Sequence, residues 1–224
     1  MGIAFRTLAT SVVGLVFLGL VLFLPAGTFD YWQAWVFIAV FTIATMGPSI
    51  YLAVKDPAAL RRRMHAGPAA ETRMTQKIAI TGVFVTGIAG MVVSALDYRL
   101  GWSAVPVWLV IIGDVLVAFG LIMAEFVVIQ NSYAAANITV EQGQELVSSG
   151  LYALVRHPMY VGALIMSVGT PLALASYWGL LTLVPALALL AVRILDEEKA
   201  LAQELPGYRD YMEGVRYRLL PYVW

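Results

Sequence analysis

Hydrophobic residues in this chain come in long runs separated by short polar segments. Residues 8–24 are apolar without interruption after a single Arg6, long enough for a membrane span of about twenty residues. Residues 32–54 form a second run. Asp30, Tyr31, Trp32 and Trp35 stand at its start, where an interfacial aromatic belt belongs, and Gly47-Pro48 predicts a kink near its end. Residues 78–96 and 105–130 give a third and a fourth span. Two shorter runs follow, 159–175 and 178–192, with Ala175-Ser176-Tyr177 as the turn, and they predict a hairpin whose ends emerge on one face whether or not it crosses fully. From Arg193 the chain reads as an amphipathic helix broken by Pro206-Gly207, then an interfacial tail carrying Tyr208, Tyr211, Arg216, Tyr217, Arg218 and Trp224. The predicted fold is all-α: a polytopic membrane bundle of about six membrane helices, including a C-terminal helix hairpin, plus interfacial C-terminal helices. A cleaved secretory signal ending at Pro25-Ala26-Gly27 also explains the first run, but the spans that follow favour an uncleaved helix. Two segments are expected, 1–130 holding the N-terminal spans and 131–224 the C-terminal block.

The polar intervals set the orientation. With the N-terminus inside, thirteen of the fourteen basic residues fall on the inner side, and Arg99 alone falls outside. The inner group includes Arg61-Arg62-Arg63, read as a topology anchor or as a patch for anionic head groups. His65 beside it reads as a solvated surface residue, and Asp56-Pro57 and Gly67-Pro68 as chain breaks. Asn137-Ile138-Thr139 matches a glycosylation acceptor, but this topology puts it on the cytosolic side. Composition agrees with the pattern: 61% of the 224 residues are hydrophobic and 12% charged, where soluble domains carry roughly a quarter charged residues. Mean hydropathy is +0.82. A net charge of zero gives no basic field for nucleic acid, and the absence of cysteine removes thiolate chemistry and disulfides. With only His65 and His157, a multi-histidine metal site is excluded, and no metal is expected.

Candidate chemistry gathers at the two mouths of the hairpin. Arg156-His157-Pro158 opens it and Arg193-x-x-x-Glu197-Glu198 closes it, so a hairpin brings Arg156, His157, Glu197 and Glu198 to one membrane surface across about forty residues of sequence. Pro158 suits the first position of a helix, and a helix N-terminus aims N–H groups at an anion. Taken singly, His157 reads as a helix cap and Glu197-Glu198 as a solvated face with Arg193 as an i,i+4 partner. Four such groups together favour a site. Asp114 and Glu125, eleven residues apart, fall on nearly one face of the fourth span. They serve either a proton path or polar ligand, or a pairing with Arg156 or Arg193. The structural role is favoured for Asp114, and the two stand even for Glu125. Gly82, Gly87 and Gly90 in the third span read as close helix packing.

Gly150-Leu151-Tyr152, Arg156-His157-Pro158-Met159-Tyr160-Val161-Gly162 and Arg193-x-x-x-Glu197-Glu198 together resemble the C-terminal block of the isoprenylcysteine carboxyl methyltransferase family, shared more loosely with membrane phospholipid methyltransferases. Tyr208-x-x-Tyr211-x-x-x-Val215-x-Tyr217-Arg218 is similar to the tail of bacterial members. The resemblance covers residues 130–224; the N-terminal spans match only in being apolar. It implies a bacterial inner-membrane enzyme with its site facing the cytosol, S-adenosyl-L-methionine as methyl donor, and a lipophilic acceptor arriving from the surrounding lipids. The cofactor would lie between the hairpin ends against Gly150, Leu151, Tyr152, Arg156, His157, Pro158, Tyr160, Glu197 and Glu198, capped by the C-terminal segment, with Arg193 and Glu197 as catalytic residues. Its carboxylate suits the helix start at Pro158, and Glu197 and Glu198 suit its ribose hydroxyls or ammonium. The glycine fingerprint of soluble dinucleotide folds is absent. A carboxylate acceptor needs no general base: anion and sulfonium yield neutral products, a dry site favours that loss of charge, and Arg193 can orient the anion in bidentate fashion. An amine acceptor, as in a phospholipid N-methyltransferase, needs Glu197, Glu198 or His157 to remove a proton. A nicotinamide-linked reductase is the alternative suggested by membrane sterol reductases, which have a related hairpin. A small transporter or scaffold relying on Asp114 and Glu125 is the non-enzymatic one.

Overall fold

The computed structural model of the protein describes residues 3–64, 71, 73–134 and 144–224, with side chains described from residue 12 onward and not over 62–64. His65, Gly67-Pro68 and the Asn137 acceptor lie outside the described residues, as do the side chains of Arg6, Arg62 and Arg63. Among the described residues eight α-helices follow one another: α1 (Ile3–Ala26), α2 (Trp32–Lys55), α3 (Pro57–Met64), α4 (Met74–Leu100), α5 (Val107–Gln130), α6 (Pro158–Ala173), α7 (Leu183–Glu204) and α8 (Tyr208–Gly214). Short 3₁₀ turns occupy Gly150–Ala153 and Trp178–Thr182, and no strand occurs among the described residues. Among the described residues four helices are long and apolar enough to cross a membrane: α2, α4, α5, and α7 together with its leading turn, Trp178–Glu204. Val12–Ala26 and Pro158–Ala173 are shorter apolar stretches.

Two boundaries differ from the hydrophobic pattern. α4 begins four residues before its apolar run and continues through Asp97-Tyr98-Arg99 to a left-handed cap at Gly101. A hydropathy run measures the dry part of a helix, whereas backbone hydrogen bonds continue into polar residues. For the same reason α7 does not stop where its side chains turn polar at Arg193. Alanine, leucine, glutamate and lysine are strong helix formers, and the helix runs on to Glu204, one residue before the break at Leu205-Pro206-Gly207.

The predicted hairpin returns to one face, but its arms pack on other helices. α6 lies against α5 and α7 against α4. Glycine sets both contacts. A Cβ on Gly120 would stand 2.4 Å from the Gly162 carbonyl oxygen, and one on Gly162 2.7 Å from the Gly120 oxygen. Seven residues away on each helix, Gly113 and Gly169 repeat the arrangement: a Cβ on Gly169 would meet the Gly113 oxygen at 2.7 Å. The two backbones touch along about two turns, an approach that only small residues allow. On the other side a Cβ at Gly82 would meet Leu189 at 2.6 Å, and one at Gly90 would meet the Thr182 hydroxyl at 2.7 Å. Gly87 has open space instead, so the expected glycine packing holds for two of its three members.

The end of the bundle away from the charged cluster is pinned by hydrogen bonds. Buried Tyr31 donates to the Leu174 carbonyl at 2.6 Å and stacks on Tyr98. Buried Asp97 accepts from the Ser103 amide and hydroxyl at 2.7 and 2.6 Å, and from the Ser176 hydroxyl at 2.5 Å. This fixes the turn between α6 and α7, so the opposite mouths of the hairpin are held in register. Within α5, Asp114 and Glu125 are both buried, and Asp114 Oδ1 has no partner.

Gly120→Val is expected to force α5 and α6 apart. Overpacking costs about 1–3 kcal/mol, so thermal unfolding in detergent should show a lower midpoint, whereas Gly87→Ala, facing open space, should leave the midpoint unchanged.

Candidate functional site

At the polar end, the start of α6 and the C-terminal tail converge on Glu198 of α7. Its carboxylate lies on the inward face of α7 and is 7% exposed. Arg156 Nε donates to Oε1 at 2.7 Å, Arg218 Nε donates to Oε2 at 2.9 Å, and His157 Nε2 lies 3.3 Å from Oε1. Arg156 also donates from Nη1 to the carbonyls of Val215 and Arg216, at 2.7 and 2.9 Å. The backbone amides of Arg156 and His157 donate to the carbonyls of Tyr217 and Arg218 at 2.9 and 3.0 Å. The Arg218 guanidinium sits 5.2 Å from the centre of the Trp224 ring. The start of α6, the polar half of α7 and the C-terminal tail are thus tied at one point. Pro158 is the first residue of α6, as its fixed φ allows, and His157 is the N-cap residue without a side-chain cap bond.

A second chain of contacts runs beside the first. The Tyr160 hydroxyl donates to Glu197 Oε2 at 2.7 Å and accepts from Arg193 Nε at 2.9 Å. Arg193 Nη1 donates to Gln76 Oε1 at 2.8 Å and lies 2.9 Å from Glu71 Oε1. Arg156 thus takes its carboxylate from Glu198, and Arg193 takes one from Glu71.

Between the hairpin mouths, α8 and the residues flanking 135–143 lies a polar cavity of about 100 Å³. Tyr152, Arg156, His157, Pro158, Tyr160 and Glu197 line it, together with Asn131, Tyr208 and Tyr211. Glu198, Arg193, Gly150 and Leu151 are not among its lining residues. Glu198 orders Arg156 and His157 from behind. Gly150, at φ 59°, and Leu151 shape the turn that presents Tyr152. The Gln130 side chain straps that turn, accepting from the Leu151 amide at 3.2 Å and donating to the Ser149 carbonyl. Tyr211 donates its hydroxyl to the Tyr152 carbonyl at 2.7 Å, closing α8 over the cavity. The Tyr208 hydroxyl is buried without a hydrogen-bond partner among the described residues. Tyr208 and Tyr211 belong to the tail pattern already visible in the sequence; Gln76 and Glu71 carried no signal, because one amide and one carboxylate before an apolar run are ordinary.

The lining phenols are neutral donors. Burial pushes Tyr152 up to about 12, with Glu197 adding to the rise and the Asn131 contact opposing it. Burial, then Glu197 and Glu198, raises Tyr208; burial first also raises Tyr211.

A larger cavity of about 550 Å³ opens in the apolar body of the bundle among α1, α2, α4, α6 and α7. Ala163 and Met166 of α6 and Ala186 of α7 line it, together with Phe37, Phe41 and Gly87. Tyr160 and Ala163 are one helical turn apart, so the two cavities are neighbours along α6.

Residues 108–206 match the phospholipid methyltransferase family. The matched stretch starts at the head of α5 and ends just past α7, so it contains the Arg156–Glu198 cluster. The Delta(14)-sterol reductase TM7SF2 of Mus musculus is 33% identical over 94 residues, which are 39% of this chain and 22% of that protein. The chain therefore spans less than a quarter of the length of that curated relative. The solved structure of the eukaryotic intramembrane Ras methyltransferase ICMT (isoprenylcysteine carboxyl methyltransferase) aligns over 100% of this chain and 88% of its own, with 18% identity and a TM-score of 0.45.

Removing one partner of a buried ion pair costs about 3–5 kcal/mol, so Glu198→Ala should unfold at a markedly lower temperature in detergent. Glu197→Gln, at a carboxylate 19% exposed, should melt close to wild type. Alkali gives a separate check. Unfolded tyrosine releases its proton near 10, whereas folded Tyr152 holds it to about 12. Its contribution is therefore full below pH 10 and is lost as pH rises through 10–12. Tyr152→Phe should flatten the fall in melting temperature over that window.

Proposed function

We propose that the chain is an integral membrane methyltransferase that uses S-adenosyl-L-methionine and acts on a lipophilic acceptor, with carboxyl O-methylation of an isoprenylcysteine-like molecule as the favoured reaction. The observation that carries this reading is a cavity lined by Tyr152, Arg156, His157, Tyr160 and Glu197 of the family-matched block and capped by Tyr208 and Tyr211, one helical turn from a large apolar one. The residues present fit the cofactor. The buried, unpartnered Tyr208 hydroxyl can donate to it. Glu197, which accepts from Tyr160, can accept from its ammonium or ribose. His157 and the start of α6 can receive its carboxylate. When bound it supplies an electrophilic methyl group on a sulfonium centre.

The rest of the chemistry belongs to the chain. The apolar cavity excludes water and takes the acceptor's hydrocarbon, and Arg193 orients the acceptor's anionic head. A carboxylate then needs alignment and no base, while Glu198 acts indirectly by holding Arg156 and His157 in place. The predominance of basic residues on the side that carries the cluster supports a cytosolic face.

A nicotinamide-linked reductase is the second reading, favoured by the 33% identity to a sterol reductase. Calorimetric titration of the purified chain with S-adenosyl-L-methionine and with NADPH separates the two. Only the sulfonium compound is expected to bind; binding of NADPH alone overturns the proposal. Loss of a hydrogen bond to a charged group costs about 1.5–3 kcal/mol, so Glu197→Gln should weaken the methyl donor by about ten- to a hundredfold. Tyr208→Phe, losing a neutral bond of about 1 kcal/mol, should weaken it several-fold. Membranes incubated with radiolabelled methyl donor should carry label as a base-labile ester; alkali-stable label in phospholipid head groups indicates N-methylation instead.

A further inference from the structure

Arg193 is held by a part of the chain that lies outside the family-matched block. Gln76, fully buried in the first turn of α4, grips the residue at both ends: Oε1 accepts from Nη1 at 2.8 Å, and Nε2 donates to the Arg193 carbonyl at 3.1 Å. Gln76 Nε2 also donates to Asp196, which pairs with Arg73 at 3.2 Å. Glu71, itself 3% exposed, stands 2.9 Å from Nη1, and the Tyr160 hydroxyl accepts from Nε at 2.9 Å. Two of the three guanidinium nitrogens are thereby fixed from two directions, which sets the plane of the group. The reach is possible because Gly82 and Gly90 let α4 lie close against α7 and its leading turn.

The place of this clamp along α7 matters as much as its geometry. Ala186 lines the apolar cavity and Glu197 lines the polar one. Arg193 lies seven residues beyond Ala186 and four before Glu197, spacings that keep all three near one helix face. Arg193 itself is 3% exposed and sits behind the walls of both cavities, at the level along α7 where the apolar one gives way to the polar one. An unrestrained arginine side chain samples many rotamers, and the clamp removes that freedom before the acceptor arrives.

We infer that Gln76 and Glu71 are positioning residues that fix the Arg193 guanidinium for the acceptor's anionic head group. The inference rests on the methyltransferase reading above, and it makes the N-terminal segment part of the site. It is tested on the full chain in lipid nanodiscs with radiolabelled S-adenosyl-L-methionine and N-acetyl-S-farnesylcysteine as acceptor probe, donor affinity being measured separately by calorimetry. Gln76→Leu should lower kcat/KM for the acceptor about tenfold while donor affinity stays within about twofold, and residues acting through one partner are non-additive. In an Arg193→Lys background the same substitution should therefore change kcat/KM by less than about twofold. Glu71→Gln, which keeps volume and an acceptor oxygen, should give a smaller loss of the same pattern and carries the test if Gln76→Leu does not fold. Equal loss in both backgrounds, or donor affinity falling in step with turnover, overturns the positioning role. A wild-type chain that binds the donor and transfers no methyl group removes the reading itself, and the positioning role with it; wild-type transfer without coupling removes the positioning role alone.

Discussion

A carboxylate withdrawn from water has to be surrounded by donors, and Glu198 meets that demand with two arginines and a histidine drawn from two segments, the start of α6 and the C-terminal tail. The cluster fixes where α6 begins, how α7 is rotated, and where the C-terminal tail lies. Each partner needs the others. Arg156 without Glu198 would be a buried cation facing only backbone carbonyls, and the tail without Arg156 would lose the donors that hold Val215 and Arg216. The candidate site is therefore built on a structural ion cluster whose central acid does not line the cavity it supports.

The second constraint is backbone contact. α5 and α6 meet through two glycine pairs, and α4 meets α7 and its leading turn through Gly82 and Gly90. In lipid there is little hydrophobic gain from bringing helices together, so close van der Waals approach and interhelical hydrogen bonds do that work. The spaced pairs also explain why the two arms of the hairpin diverge onto different neighbours and leave an apolar cavity between them. Rigid contact on both flanks and open volume in the middle have the same origin, namely where small residues sit on each helix.

Chemically, the polar end separates two tasks. Phenols kept neutral by burial, Glu197 accepting from Tyr160, and the Arg156 and His157 side chains ordered by Glu198 line the polar cavity, whereas Glu198 itself and the Arg193–Glu71 pair stand outside it. Arg193 belongs to neither cavity and lies between them along α7, anchored from the N-terminal half. Helices that resemble other proteins only in being apolar thus supply contacts to the residue assigned to the acceptor.

The sequence alone determined the order of the apolar helices, the α6 start at Pro158, the break at Pro206-Gly207, and the meeting of Arg156 and His157 with Glu197 and Glu198. These were legible because hydropathy, proline geometry and a hairpin's return are local or nearly local properties. It suggested one role for Glu197 and Glu198; tertiary structure separated them, because adjacent helical positions point about 100° apart and only the position of the neighbours decides which faces the cavity. The same holds for Gln76 and Glu71, whose importance lies in partners about 120 residues away. Helix identity is written along the chain, whereas which polar group faces a cavity and which is satisfied inside the protein depends on helix rotation and approach, and those are fixed only when all the helices pack at once.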